Sequence, residues 1–266
     1  ASAGAASYNV YLDDELIANV TSPAFSSANY TEFGVSALTE GRHAVQVTAL
    51  DELSNESVLS APGMVEIDLT APPVPVLNPL QPYTNAPSIL FTWAAVESAV
   101  KYDLDGIAEG IEVPAHLLTL DPELYPEGAG VITRVRAYDM AGNVSAWSNQ
   151  VKTIIDRTGP TTTAVQTPPE VTNNPRPVWE WSGEDGSGSG LAYFIVTIDN
   201  EPPFNTTGTL FEPARALLPG AHALKVRAVD ALGNVGNELV FPTVTIVEPV
   251  LLHVTPGSGA YPINHI

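Results

Sequence analysis

Carboxylates are the reactive groups this chain holds in excess. Thirty Asp and Glu stand against ten Lys and Arg, a formal charge of −20, and there is no cysteine. Such a surface repels nucleic acid and anionic membranes and draws in cations. The lack of cysteine removes disulfides and thiol chemistry. Three aspartates recur in one setting: Asp51 in "VTALDELSNES", Asp139 in "VRAYDMAGNVS" and Asp230 in "VRAVDALGNVG", 88 and 91 residues apart. Hard oxygen donors beside turn carbonyls suit Ca2+ better than proton transfer. Catalytic patterns are missing from the sequence: it has no HExxH, no GxSxG and no phosphate-binding glycine loop. His43 and His222 share one repeat position, where the middle repeat has Gly130, and recurrence of that kind marks a structural role. Asp13 and Asp14 are neighbours and point apart on a strand. "EDGSGSG" at 184–190 lacks the lysine and following helix of a phosphate cradle, so a flexible loop is expected. No enzyme is expected.

The elements that carry these residues are strands. A period near ninety is a whole small domain, and 24 prolines, 20 glycines and no capped helical pattern place the chain among all-β, turn-rich proteins. An alternating strand leads into each aspartate, with Val45, Val47 and Ala49 on one face in the first repeat. Upstream lies a second one, Tyr8, Val10 and Leu12, then Val100, Tyr102 and Leu104, then Phe194, Val196 and Ile198, each closed by an acidic turn. Two repeats add a tryptophan strand, "ILFTW" at 89–93 and "VWEW" at 178–181. Short strands separated by turns predict a β-sandwich. No apolar run approaches the roughly 18 residues of a membrane-spanning helix, so no membrane insertion is expected.

The "G-H-x-hydrophobic-x-V-x-A-x-D-x-x-G-N" pattern, followed by "IDLTAP" at 67–72 or "IDRTGP" at 155–160, resembles the bacterial immunoglobulin-like and fibronectin type III-like modules of surface adhesins and secreted proteins. The resemblance covers essentially the whole chain. It implies a tandem array of three such sandwiches with an extracellular or cell-surface location. Two departures stand out: Glu52-Leu53-Ser54-Asn55 replaces the glycine turn in the first repeat, and the third ends in "IVEP" at 246–249.

Aligned on the turns, Ala1 corresponds to Trp93, so residues 1–70 form a sandwich lacking its first two strands. Complete sandwiches follow at 71–158 and 159–248, and residues 249–266 resemble the opening of a further repeat. An incomplete sandwich leaves the face of Tyr8, Val10, Leu12, Val45 and Val47 uncovered. Burying such side chains is worth roughly 1.5–3 kcal/mol each, against about 5–15 kcal/mol for a whole domain. The expectation is a donor strand, Val250, Leu252 and Val254, that completes the first repeat of the next copy head-to-tail in trans. The other reading is a window on a longer array, whose flanking repeats supply the cover.

Antiparallel strand order brings each incoming linker beside the repeated turn. That groups Asp68 with Asp139 and Glu97, and Asp156 with Asp230 and Asp185, while Glu248 would meet Asp51 of the following chain. Ca2+ at these inter-domain joints is one reading. The other is that the aspartates cap their own turns, with Gly142 and Gly233 supplying positive φ. The strand tryptophans Trp93, Trp179 and Trp181 read as core, which leaves Trp147 as the candidate contact for a surface glycan. The function expected is a structural subunit of an extracellular filament or stalk. The alternative is a set of spacer or carbohydrate-binding modules of a secreted polysaccharide-degrading enzyme or large adhesin.

Overall fold

The computed structural model describes residues 4–21 and 38–248, which are strand, turn and loop throughout. No helix among them is long and apolar enough to cross a membrane. The first repeat holds β1 (Ser7–Leu12), β2 (Glu15–Val20), β3 (Gly41–Leu50) and β4 (Gly63–Ile67). The second holds β5 (Tyr83–Thr84), β6 (Ser88–Thr92), β7 (Lys101–Leu104), β8 (Ala108–Ile111), β9 (Ala115–Thr119), β10 (Gly130–Thr133), β11 (Val135–Tyr138) and β12 (Val151–Ile155). The third runs from β13 (Thr161–Gln166), β14 (Val171–Thr172), β15 (Trp179–Glu184), β16 (Leu191–Ile198) and β17 (Phe204–Thr206) to β18 (Leu210–Phe211) and β19 (Gly220–His222). It ends with β20 (Leu224–Asp230), β21 (Leu239–Val240) and β22 (Val244–Ile246). By contacts the chain divides into two compact units. One is Ala1–Pro79, Ser88–Leu118 and Ile132–Val151; the other is Leu80–Pro87, Thr119–Val131 and Lys152–Ile266.

In the first unit, β2-β1-β3-β4 form one antiparallel sheet. Tyr8 lies opposite Ala49, Val10 opposite Val47 and Leu12 opposite Val45, so period-two alternation puts all five predicted apolar residues on one face. Val10 and Leu12 are buried and Tyr8 and Val45 half-buried, while Val47 is 39% exposed. This is the one sheet that the described residues of the first repeat contribute. Val250, Leu252 and Val254, the expected donor strand, lie outside the described residues. The unit also contains the β6-β9 pair and the β11-β7-β8 sheet. Phe91, Trp93, Tyr102, Leu104, Val135 and Ala137 are buried there, with Trp93 and Tyr102 edge to face at 5.2 Å.

In the second unit, β12 runs parallel to β5, and the third repeat forms a two-layer sandwich. A three-stranded sheet, β13-β15-β18, is opposed to a four-stranded sheet, β17-β16-β20-β21, and β14-β22-β19 adds a third. The apolar faces meet in one core of Trp179, Trp181, Phe194, Val196, Leu224, Val226, Ala228, Phe241, Val244 and Ile246. Every other residue of β20 is inward, Leu224, Val226 and Ala228, and the lysine and arginine between them face out, as a half-buried strand requires. Among the described residues the fold is all-β.

Short serine motifs after the turns finish the strands in the first two repeats. Ser57 N–H donates to Ala49 O and Ser60 N–H to Val47 O; in return Ala49 N–H donates to Ser57 Oγ and Val47 N–H to Ser60 Oγ. Ser145 and Ser148 repeat the pattern on Ala137 and Val135. The hydroxyls thus satisfy edge amides that a further strand would otherwise take. In the third repeat Gly236 holds the place of Ser57 and Ser145, its N–H donating to Ala228 O. Thr162 Oγ1, on the incoming strand β13, then accepts from Ala228 N–H at 3.1 Å. Only glycine fits here, because a Cβ on Gly236 would overlap Pro160 O, and one on Gly159 would overlap Gly236 N and the Val235 carbonyl carbon. Gly236→Ala is expected to cost about 2 kcal/mol or more through forced backbone displacement. A urea titration reads this as a lower midpoint for the third repeat, whereas Ser145→Ala loses the two hydrogen bonds of its hydroxyl, from Ala137 N–H and to Ala146 O, about 1–2 kcal/mol.

Candidate cation site

The repeated turn is built the same way three times. Asp51 Oδ1 accepts from Leu53 N–H and Asn55 N–H at 2.9 Å each, and Oδ2 accepts from Asn55 Nδ2 at 2.8 Å. Asp139 Oδ1 accepts from Gly142 and Asn143 N–H, both at 2.8 Å, and Oδ2 from Asn143 Nδ2 at 2.9 Å. Asp230 Oδ1 accepts from Leu232 and Asn234 N–H at 2.9 and 2.8 Å, and Oδ2 from Asn234 Nδ2 at 2.6 Å. Gly142 and Gly233 carry φ of 95° and 86°, the left-handed geometry that favours glycine. Ser54, with φ 64°, takes this conformation without a glycine in the first repeat. The Asn55 carboxamide and the two N–H groups hold Asp51 below the usual carboxylate range. Burial pushes Asp139 up, but the Asn143 side chain and the turn N–H groups outweigh it and hold that carboxyl low too.

The asparagine also reaches the linker. Asn143 Nδ2 donates to Asp68 O at 2.9 Å, and Asn234 Nδ2 donates to Asp156 O at 3.0 Å. The two linkers diverge at the carboxylates. Asp68 and Glu97 are exposed, and Asp68 Oδ1 accepts from Thr70 N–H. Glu248 is exposed and Asp51 is engaged in its own turn. Asp156, which follows β12, is 1% exposed, and Asp230, at the end of β20, is 2% exposed. Among the described residues, one group of acidic side chains is close enough to share an ion: Asp156, Asp185 and Asp230, each with an oxygen within 4.8 Å of the others.

The loop at 184–190 wraps this group. Ser189 N–H donates to Asp156 Oδ2 at 2.6 Å and Gly190 N–H to Asp185 Oδ2 at 2.7 Å, while Ala231 N–H donates to Gly190 O. A Cβ on Gly188 would press on the Asp185 carboxylate. The expected flexible loop is therefore a bonded cover whose glycines let backbone come close to charge. Burial pushes the Asp185 carboxyl up, only partly offset by the Gly190 N–H, and Asp156, Asp230 and Glu127 push it the same way. Asn85 steadies the turn from outside, donating to Leu232 O and Asn234 Oδ1.

The histidines are staples of the hairpins. His43 Nδ1 lies 2.6 Å from Asp13 Oδ2 and Nε2 lies 2.8 Å from Thr39 O; His222 makes the matching contacts to Asp199 Oδ2 and Leu218 O at 2.7 and 2.8 Å. A carboxylate and a carbonyl only accept, so both contacts favour a ring that carries a proton on each nitrogen. In the middle repeat the place falls on Thr133, not Gly130. Asp105 N–H donates to Arg134 O as Asp13 does to Ala44 O and Asp199 to Ala223 O, and the Arg134 side chain pairs with Asp105 at 2.8 Å.

Trp93, Trp179 and Trp181 are buried. Trp147 is half-buried, and the Arg134 and Arg136 guanidinium groups lie over its ring at 4.8 and 4.6 Å. It borders a cavity of about 370 Å³ with Asp103 and Glu109 on its wall.

No family model matches the chain. Exoglucanase B of Cellulomonas fimi is 29% identical over 259 residues, which are 91% of this chain and 23% of that protein. The chain thus spans less than a quarter of that relative. Among solved structures, the fibronectin(III)-like modules of Clostridium thermocellum CbhA are 18% identical, with 59% of this chain and 81% of that one covered and a TM-score of 0.38. The FN1-FN3 domains of chicken CNTN1 are 12% identical, with 77% of each chain covered and a TM-score of 0.33.

The paired histidines give the chain a pH dependence of known sign. Asp13 first, then the Thr39 carbonyl, raises His43; burial opposes charge on His222, but the Leu218 carbonyl and Asp199 outweigh it and raise it as well. A raised folded value contributes stability that is full below the unfolded value, about 6.5, and is lost as pH rises through the folded one. Against the double variant His43→Gln/His222→Gln, the wild-type advantage in urea midpoint is expected to be largest at pH 5.5 and to shrink by pH 8.5. An advantage constant with pH would mean neutral rings.

Proposed function

We propose that this chain is a run of non-catalytic spacer modules within an extracellular polysaccharide-degrading protein. The observation that carries the reading is the alignment of 91% of this chain with a 23% portion of Exoglucanase B, so that a segment similar to this chain is a small part of a much larger enzyme. The linkers support it. Each is fastened to the following turn by an asparagine amide, and the second is packed backbone on backbone at Gly159 and Gly236. The buried tryptophans and the guanidinium groups over Trp147 favour spacing over sugar stacking, and the charge of −20 keeps such a string soluble and unaggregated.

Head-to-tail assembly is the second reading. It is favoured by the single sheet among the described residues of the first repeat, with Val47 39% exposed on the face it shares with Val10. In that reading Val250, Leu252 and Val254 of one copy cover Tyr8, Val10, Leu12, Val45 and Val47 of the next.

Sedimentation and negative-stain electron microscopy of the purified chain test both. The spacer reading expects a monomer at micromolar concentration, with no hydrolysis of cellulose and no retention on it. Fibres with a fixed axial repeat that vanish on deletion of residues 249–266 would replace it with the assembly reading. Retention on cellulose lost in Trp147→Ala would replace it with a carbohydrate-binding one.

A further inference from the structure

We propose that Asp156, Asp185 and Asp230, with the Ser189 hydroxyl, form a binding site for one hard divalent cation of the size of Ca2+, and that the Asp68 joint has no counterpart. Three carboxylate oxygens lie within 4.8 Å of one another. Two ligands on opposite sides of Ca2+, at 2.3–2.6 Å each, stand up to about 5 Å apart, so each pair of these oxygens lies within the span that one ion bridges. The donors are all oxygen, which favours Ca2+ over the softer metals that choose imidazole or thiolate.

Charge balance points the same way. Asp156 and Asp230 are almost completely buried, and among the described residues no Lys, Arg or His pairs with any of the three. Burying like charges together without a counter-charge is strongly unfavourable. Asp156 Oδ1 is buried with no hydrogen-bond donor, and Ser189 Oγ is buried with no partner. The loop N–H groups already hold Asp156 Oδ2 and Asp185 Oδ2 and the turn holds both Asp230 oxygens, so the bare Oδ1 of Asp156 is what a cation would complete. Exposed Asp68 and Glu97 show why the first joint differs: solvent satisfies them. The site stands whether or not the array is an enzyme's spacer, so its failure would leave that reading untouched.

The test is calorimetry of the full chain at 0.15 M NaCl. One Ca2+ per chain is expected by titration, with Kd about 10⁻⁴–10⁻³ M, as is common in extracellular modules. At 10 mM Ca2+ the transition of the third repeat should rise by about 5 °C or more relative to EDTA. Asp185→Asn keeps an acceptor for Gly190 N–H and removes one charge. It should lose the Ca2+ response and melt in EDTA no lower than the wild type, while Asp68→Asn keeps the response. A wild-type transition unmoved by Ca2+, or a response retained in Asp185→Asn or lost in Asp68→Asn, overturns the proposal. Should Asp185→Asn not fold, the wild-type stoichiometry decides: no site, or several equal weak ones, overturns it.

Discussion

One carboxylate at the end of a strand governs much of this architecture. In each repeat the aspartate after the alternating strand gathers two turn N–H groups on Oδ1 and an asparagine amide on Oδ2. Bonds to an ionised acceptor are roughly twice as strong as neutral ones, so the turn is fixed by three of the stronger interactions available to exposed backbone. Fixing the turn also fixes the asparagine. Its remaining N–H takes the carbonyl of Asp68 in one case and of Asp156 in the other. The turn therefore sets where the linker runs as well as where the strand stops, and the first repeat keeps the same turn around Asn55.

Much of this is written in the sequence, because it depends on local spacing. An aspartate four residues before an asparagine, with glycine between, needs only its own backbone to close. Alternation over Leu224, Val226 and Ala228 likewise needs only a two-residue period to define a buried face. The tryptophans read as core from their strands, and they lie in or beside the apolar faces. Antiparallel strand order puts Asp156 near Asp230 and the loop of Asp185, and these three meet; the same order puts Asp68 near Asp139 and Glu97, where no such group forms among the described residues.

What the sequence conceals depends on distances between segments. The displacement of the histidine position from Gly130 to Thr133 arises because the middle hairpin closes closer to its aspartate turn, and only the bond from Asp105 to Arg134 reveals it. The serine pairs at 57 and 60 and at 145 and 148 look like ordinary loop residues. Their hydroxyls matter because the returning segment runs beside a strand edge. Gly236 has the same character: nothing nearby in sequence announces Pro160 O.

The two joints share a motif yet differ in electrostatics, and the difference comes from a loop. Trp93 and Tyr102 stack edge to face in the middle repeat as Trp181 and Phe194 do in the third, so the segments between them are equivalent. Residues 94–101 hold one acid, Glu97, and no glycine; residues 182–193 are longer and hold Glu184, Asp185 and four glycines. The glycines allow the longer loop to fold its N–H groups onto Asp156 and Asp185. Closing over the linker in this way takes Asp156 out of water, while Asp68, in the corresponding place, stays exposed. An identical "ID" dipeptide is thus a solvated surface acid at one joint and a buried charge at the other, and the loop that covers it supplies the difference.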